Sequence, residues 1–253
     1  MPKRPSHPAQ DPAGSGRFGG FDPGLFRFMI SLKRHNRRDW FEQHRSEYET
    51  FVRVPMAAFV EEMDVRLARL APELVGDPRR SLFRIHRDVR FSADKSPYKT
   101  HTACWFFHHH AGRGVGSEAH GGAGLYVHLE PGQCLVGGGI WMPPKPALDL
   151  IREAIADHPE VLESLVRAPT FRRRFGSLSD EAKLSRVPRG FAPDHPAAEW
   201  LRLKSFTAGR DLTRAEALDP KLPARIETDF RAMLPLVRWL NAALGFPPAT
   251  SRL

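Results

Sequence analysis

Residues 125–142 read LYVHLEPGQCLVGGGIWM, two runs of extended character joined by Glu130-Pro131-Gly132-Gln133. A proline-glycine pair between two such runs marks a tight hairpin. With Pro131 and Gly132 as the loop, Leu129 faces Cys134, Val127 faces Val136 and Leu125 faces Gly138. One side of the hairpin is then apolar, and Tyr126 and His128 stand on the other side against Gly137 and Leu135. Gly137, Gly138 and Gly139 in succession add no packing to a strand; they signal either a bulge or the close approach of a ligand or an aromatic ring.

Working outward, Phe83 to Phe91 alternates, His101 to Phe107 is aromatic and extended, and Lys204 to Thr213 supplies a last strand. The flanks change period. Asp22-Pro23 opens a helix carrying Leu25, Phe28, Met29 and Leu32, Asp39 caps a second from Trp40 towards Tyr48, and Met56, Phe59, Val60, Met63, Leu67 and Leu70 line a third after Pro55. Beyond the hairpin, Leu148, Ile151 and Ile155 share a helical face, a short helix follows Pro159, and another starts near Asp194. The turn-rich residues 171–196 are expected to wrap over the surface. Pro223 opens a long helix with the stripe Ile226, Phe230, Met233, Val237, Leu240 and Leu244, ended by Gly245. The fold class is therefore α+β: an antiparallel sheet of about four to six strands from the middle of the chain, covered by N-terminal and C-terminal helices. Residues 1–20, rich in Pro, Gly and Ser, are expected to form a disordered tail, and residues 21–253 a single domain.

Composition narrows the function classes. The 253 residues are 41% hydrophobic and suffice for a sizeable core, and no apolar run approaches the roughly 20 residues that cross a bilayer. The N-terminus lacks the apolar core of a secretion signal, so a cytoplasmic protein with no membrane partner is expected. Two cysteines, Cys104 and Cys134, argue against a disulfide framework and read as reduced, buried thiols. A net charge of +9 brings nucleic acid and acidic small molecules into consideration. However, 30 of the 38 basic residues are arginines spread along the chain, whereas a nucleic-acid footprint clusters on one face.

The densest polar signal is RIHRDVRFSADKSPYKT, Arg84 to Thr100, with five arginines and lysines and two aspartates. On an extended strand Arg84, His86, Asp88 and Arg90 form a comb on one face, while Arg87 points the other way unless a bulge re-aims it. The neighbouring run puts Trp105 and Phe107 on one side and Phe106 on the other, so both sheet faces call for cover and the comb is expected in a partly buried recess. Guanidinium forks and lysine ammonium groups suit phosphate or carboxylate oxygens, and Asp88 with Asp94 would alternatively hold a divalent cation. Arg84, Arg90, Lys95 and Lys99 are expected to hold the anion, with Arg87 and His128 as further binding candidates. Asp88, Asp94 and Tyr98 are the candidates for catalysis: Asp88 orients an arginine, Asp94 acts as base or metal ligand and Tyr98 donates a hydrogen bond. His101, His108, His109, His110 and His120 lack the fixed spacing of a metal site, so no metal centre is expected from them. No cofactor is legible.

The segment Arg84-Ile-His-Arg87-Asp88-Val-Arg90-Phe91-Ser-Ala-Asp94-Lys95-Ser-Pro-Tyr98 fits the pattern RxxRDxRFxxx[DN]KxxY and resembles the signature of an uncharacterised bacterial family, domain of unknown function 2461. Supporting stretches are Asp39-Trp40-Phe41, Gly137 to Trp141, Pro188 to Phe191 and Asp194-His195-Pro196. The resemblance implies one domain of this size and a motif whose residues act together; it carries no mechanism. Three readings follow: a binder of an anionic, phosphorylated or carboxylated small molecule with catalysis undecided, a basic nucleic-acid-binding module, or an interaction protein with an internal ion-pair network.

Overall fold

The computed structural model describes residues 18–90, 93–111 and 122–251. Helices α1 (Gly24–Arg34), α2 (Arg38–Gln43) and α3 (Arg45–Tyr48) lead through a π-helical turn, Glu49–Arg53, into α4 (Val54–Leu70). The sheet follows with β1 (Leu74–Val75), β2 (Thr102–His108), β3 (Gly124–Glu130) and β4 (Gln133–Ile140). Then come α5 (Lys145–Asp157), α6 (Pro159–Arg167), α7 (Pro169–Phe175), α8 (Ala198–Leu201), β5 (Phe206–Leu212), α9 (Arg214–Leu218) and α10 (Leu222–Ala243). All five strands are antiparallel in the order β1-β2-β3-β4-β5. The architecture is α+β, as the change of period along the chain implies. None of the described helices is long and apolar enough to cross a membrane.

The hairpin register is the one the proline-glycine turn dictates: Leu129 opposite Cys134, Val127 opposite Val136 and Leu125 opposite Gly138. Leu125, Val127, Leu129 and Val136 are buried together with Phe106 of β2, which meets Phe230 of α10 edge-on at 5.6 Å. Helix α10 lies over this face with Ile226, Phe230, Met233, Val237 and Leu240 of the stripe buried, while Leu244, just past its end, is half-buried. Each such side chain contributes about 1.5–3 kcal/mol by leaving water. A buried carboxylate with two arginine partners sits within this apolar layer. Arg210, on the same face of β5, gives Nε and Nη2 to the two carboxylate oxygens of fully buried Asp229 on α10 at 3.0 and 2.9 Å, and Arg174 of α7 binds Asp229 as well.

The triple glycine answers to the protein itself. A Cβ on Gly138 would sit 2.8 Å from Met233 Cγ and 2.8 Å from the Gly124 carbonyl, so the close seat of α10 on β4 needs a bare backbone there. Gly139 has φ +117°, a conformation that side chains disfavour.

Four expectations are corrected. Phe83 to Arg90, the described part of the expected strand, forms no strand: it carries the isolated bridge His86 to Tyr98, and Leu82 just before it bridges Cys104. Between them four steps on one side (86 − 82) oppose six on the other (104 − 98), and two extra residues break a ladder. The helix expected from Trp40 to Tyr48 divides at His44, whose Nδ1 lies 2.8 Å from the Trp40 carbonyl. Residues 171–196 are not all surface wrap, since they begin within α7 and bury Leu178. Order also starts before residue 21: Phe18 is buried edge-on against Phe21 and Phe59, while residues 1–17 of the expected tail lie outside the described residues. Both thiols are buried, and burial pushes their pKa up.

Replacing Gly138 with alanine is expected to cost about 1–3 kcal/mol by overpacking. A urea titration followed by circular dichroism measures it.

Candidate functional site

The Arg84–Thr100 segment folds back on itself beyond the edge of β2 that β1 and residues 81–83 cover. Arg87 N–H donates to the Pro97 carbonyl at 2.9 Å and Lys99 N–H to the Ile85 carbonyl at 2.8 Å. Asp94 makes the turn: its Oδ1 accepts from the Ser96 N–H at 2.9 Å and the Ser96 hydroxyl at 2.6 Å, and its other oxygen pairs with Arg87. The hydrogen bonds from Ser96 hold its carboxyl below the usual range. Lys95 closes the loop by donating Nζ to the Val89 carbonyl at 2.9 Å. Asn36, between α1 and α2, clamps Tyr98 by accepting from its N–H at 3.0 Å and donating to its carbonyl at 2.9 Å. The Tyr98 ring is 2% exposed and stacks on Phe41 of α2 with centroids 4.2 Å apart.

An open groove of about 560 Å³ lies between α2 and this turn, lined by Arg38, Glu42, His86, Arg87, Val89, Lys95, Pro97 and Tyr98. Glu42 is engaged by Arg45 through bonds of 3.0 and 2.6 Å, which hold its carboxyl down. Burial pushes the Tyr98 phenol up, with the Glu42 charge adding to it. Among the described residues the phenol has no hydrogen-bond partner.

A second polar cluster occupies the sheet face opposite α10. His128 and Glu130 project on the same side of β3, and His101, just before β2, places its ring centroid 4.5 Å from that of His128. His128 Nδ1 lies 3.0 Å from Tyr126 Oη and its Nε2 3.3 Å from Glu130 Oε2, while Thr100 Oγ1 donates to Glu130 Oε1 at 3.0 Å. Burial pushes His101 down to about 4 and lowers His128 too, so both imidazoles are neutral near pH 7.

A family model described as conserved hypothetical protein (DUF2461) matches residues 24–239, which include the whole charged segment. The chain belongs to the DUF2461 family. No curated protein and no solved structure matched it.

Within this DUF2461 chain the motif divides. Arg87, Lys95 and Tyr98 line the groove, and Asp94 joins them through Arg87. Asp88 and Arg90 instead pair with each other, Oδ2 to Nη2 at 2.7 Å, with side chains 59% and 75% exposed. Arg90 holds the Asp88 carboxyl down to about 2. The recess expected around the comb is therefore absent at these two residues, because the broken ladder carries them out over solvent. Arg84 is also exposed, and Phe91 lies outside the described residues. Lys99 leaves the groove and sits 5.2 Å from the centre of the Phe83 ring, and His128 belongs to the sheet-face cluster. Sequence reasoning missed Arg38, Glu42 and Asn36, which come from a distant helix end. It also missed the partnership of His101, His128 and Glu130, although the spacing His-x-Glu on a strand puts both side chains on one face. His108 is committed to backbone, its Nε2 to the Pro247 carbonyl and its Nδ1 to the His110 N–H; His120 lies outside the described residues.

Because the clamp is half-buried and the outer pair is exposed, two variants should part company. Asn36→Ala strands two backbone groups of Tyr98 and is expected to cost about 1–3 kcal/mol, whereas Asp88→Ala leaves the melting temperature essentially unchanged. Differential scanning calorimetry of both distinguishes a surface pair from a buried strut.

Proposed function

We propose that this DUF2461 chain binds an anionic small molecule, of the phosphate-ester or carboxylate class, in the groove between α2 and the Arg84–Thr100 turn. The observation that carries the reading is the Tyr98 phenol: a hydroxyl without a described partner, on a buried residue that lines a groove flanked by Arg38, Arg87 and Lys95. An unsatisfied buried hydroxyl is costly, and an oxyanion accepting from it removes that cost. Arg38 presents an exposed guanidinium, and Arg87 exchanges its contact with Asp94 for the ligand.

For the carboxylates and the phenol at this place, binding is favoured over acid-base chemistry. A general acid or base works best with a pKa near the operating pH, and Asp94 and Glu42 are shifted down while Tyr98 is shifted up. Asp88 faces solvent beside Arg90, away from the groove lining. The nucleic-acid reading has less support. In the densest basic run, Arg172 to Arg174, Arg174 turns inward to Asp229 instead of joining a phosphate-tracking stripe.

The test is a thermal-shift screen of phosphate esters, nucleotides and carboxylates. The wild-type protein is expected to gain about 2.7 kcal/mol at a ligand concentration one hundred times Kd. Tyr98→Phe should lose roughly 1.5–3 kcal/mol of binding and Arg87→Ala at least as much, with Arg90→Ala as an unaffected control. No stabilisation of the wild type by any of these anions overturns the proposal.

A further inference from the structure

We propose that His101, His128 and Glu130 form a site for one divalent transition-metal ion of the zinc class, on the sheet face opposite α10. Their ligand atoms, two imidazole nitrogens and a carboxylate oxygen, all lie within 4.8 Å of one another. Two histidines and a carboxylate are a donor set that zinc and its neighbours accept, and three protein ligands leave a fourth position open. Atoms about 2.0–2.1 Å from a common tetrahedral centre stand about 3.4 Å apart, so a change of roughly an ångström at the side-chain ends completes the geometry. The scaffold is rigid where this matters: β2 pairs with β3 at Thr102–Leu129 and Ala103–His128, directly beside His101 and Glu130.

The surrounding groups argue for a metal more specifically than the three side chains alone. Thr100 Oγ1 already orients Glu130 through Oε1, leaving Oε2 towards His128. With the ion on His128 Nε2, the ring proton moves to Nδ1 and donates to Tyr126 Oη, 3.0 Å away; without it, Tyr126 donates to Nδ1 and Nε2–H donates to Glu130. Tyr126 thus serves as acceptor in one state and donor in the other, which is how a partner outside the ligand set fixes a metal-bound imidazole. The histidine run His108–His110 is the competing cluster, and His108 is the member with both ring nitrogens committed to backbone.

The full-length chain without a histidine tag is titrated with Co²⁺, whose visible absorption reports tetrahedral coordination, and then with Zn²⁺ as competitor. One ion per chain is expected, with affinity reduced at least tenfold in His128→Ala and in Glu130→Gln, and about tenfold in Tyr126→Phe. A His109→Ala/His110→Ala variant should bind as the wild type does. Circular dichroism establishes that each variant is folded; should His128→Ala fail that control, Glu130→Gln decides. Absence of a tetrahedral spectrum, affinity undiminished in Glu130→Gln, or binding abolished in the His109/His110 variant overturns the site. None of these outcomes depends on the anion groove, so the two proposals fail separately.

Discussion

The pairing of β3 with β4 across the Pro131–Gly132 turn is the constraint on which the molecule rests. It sends Leu125, Val127, Leu129, Cys134 and Val136 to one face of the sheet and Tyr126, His128 and Glu130 to the other. A slip of one residue would exchange the two sets. The apolar set meets α10, and the bare backbone of Gly138 lets Met233 approach closely enough to seal the contact. The polar set, freed from core duty, becomes the scaffold of the histidine cluster.

Charge is used in two distinct ways. Asp229 and Glu73 are buried carboxylates, the first held by Arg210 and Arg174, the second by Arg238 Nε at 2.6 Å, and both tie α10 to other elements. Arg152 has a related role without a carboxylate, giving Nε to the Leu201 carbonyl at 2.9 Å and Nη2 to the Leu203 carbonyl at 3.1 Å. Such groups are costly to leave unmatched, and they serve the fold. The cations of the charged segment stand in water or on an open groove, where attraction is screened and partners exchange readily.

Arg87 links the groove to the sheet face, since it lines the former and its charge is felt at His101 and Lys99. The two candidate sites are therefore electrostatic neighbours. In the proposed groove an anion would meet arginine, lysine and a phenol directly; at the other, three side chains of the sheet face would hold a metal ion.

Much of the fold was legible because periodicity is local. The hairpin register follows from one turn, and the α10 stripe from spacing alone. Residue pattern likewise marked Arg84–Tyr98 as a unit, and the family match spans it. Helix α9 was equally open to reading, since Thr213 and Glu216 form a reciprocal cap, but it was overlooked. Tertiary structure decided the rest. The mismatch of four steps against six turned an expected strand into a broken edge, separating Arg87, Lys95 and Tyr98 from Arg84, Asp88 and Arg90. Arg38 and Glu42 reach the groove, and Asn36 reaches the Tyr98 backbone, from far earlier in the chain, and His101 meets His128 across a strand pair. A sequence specifies which side chains share a face of one element; which faces of distant elements converge depends on how the whole core packs.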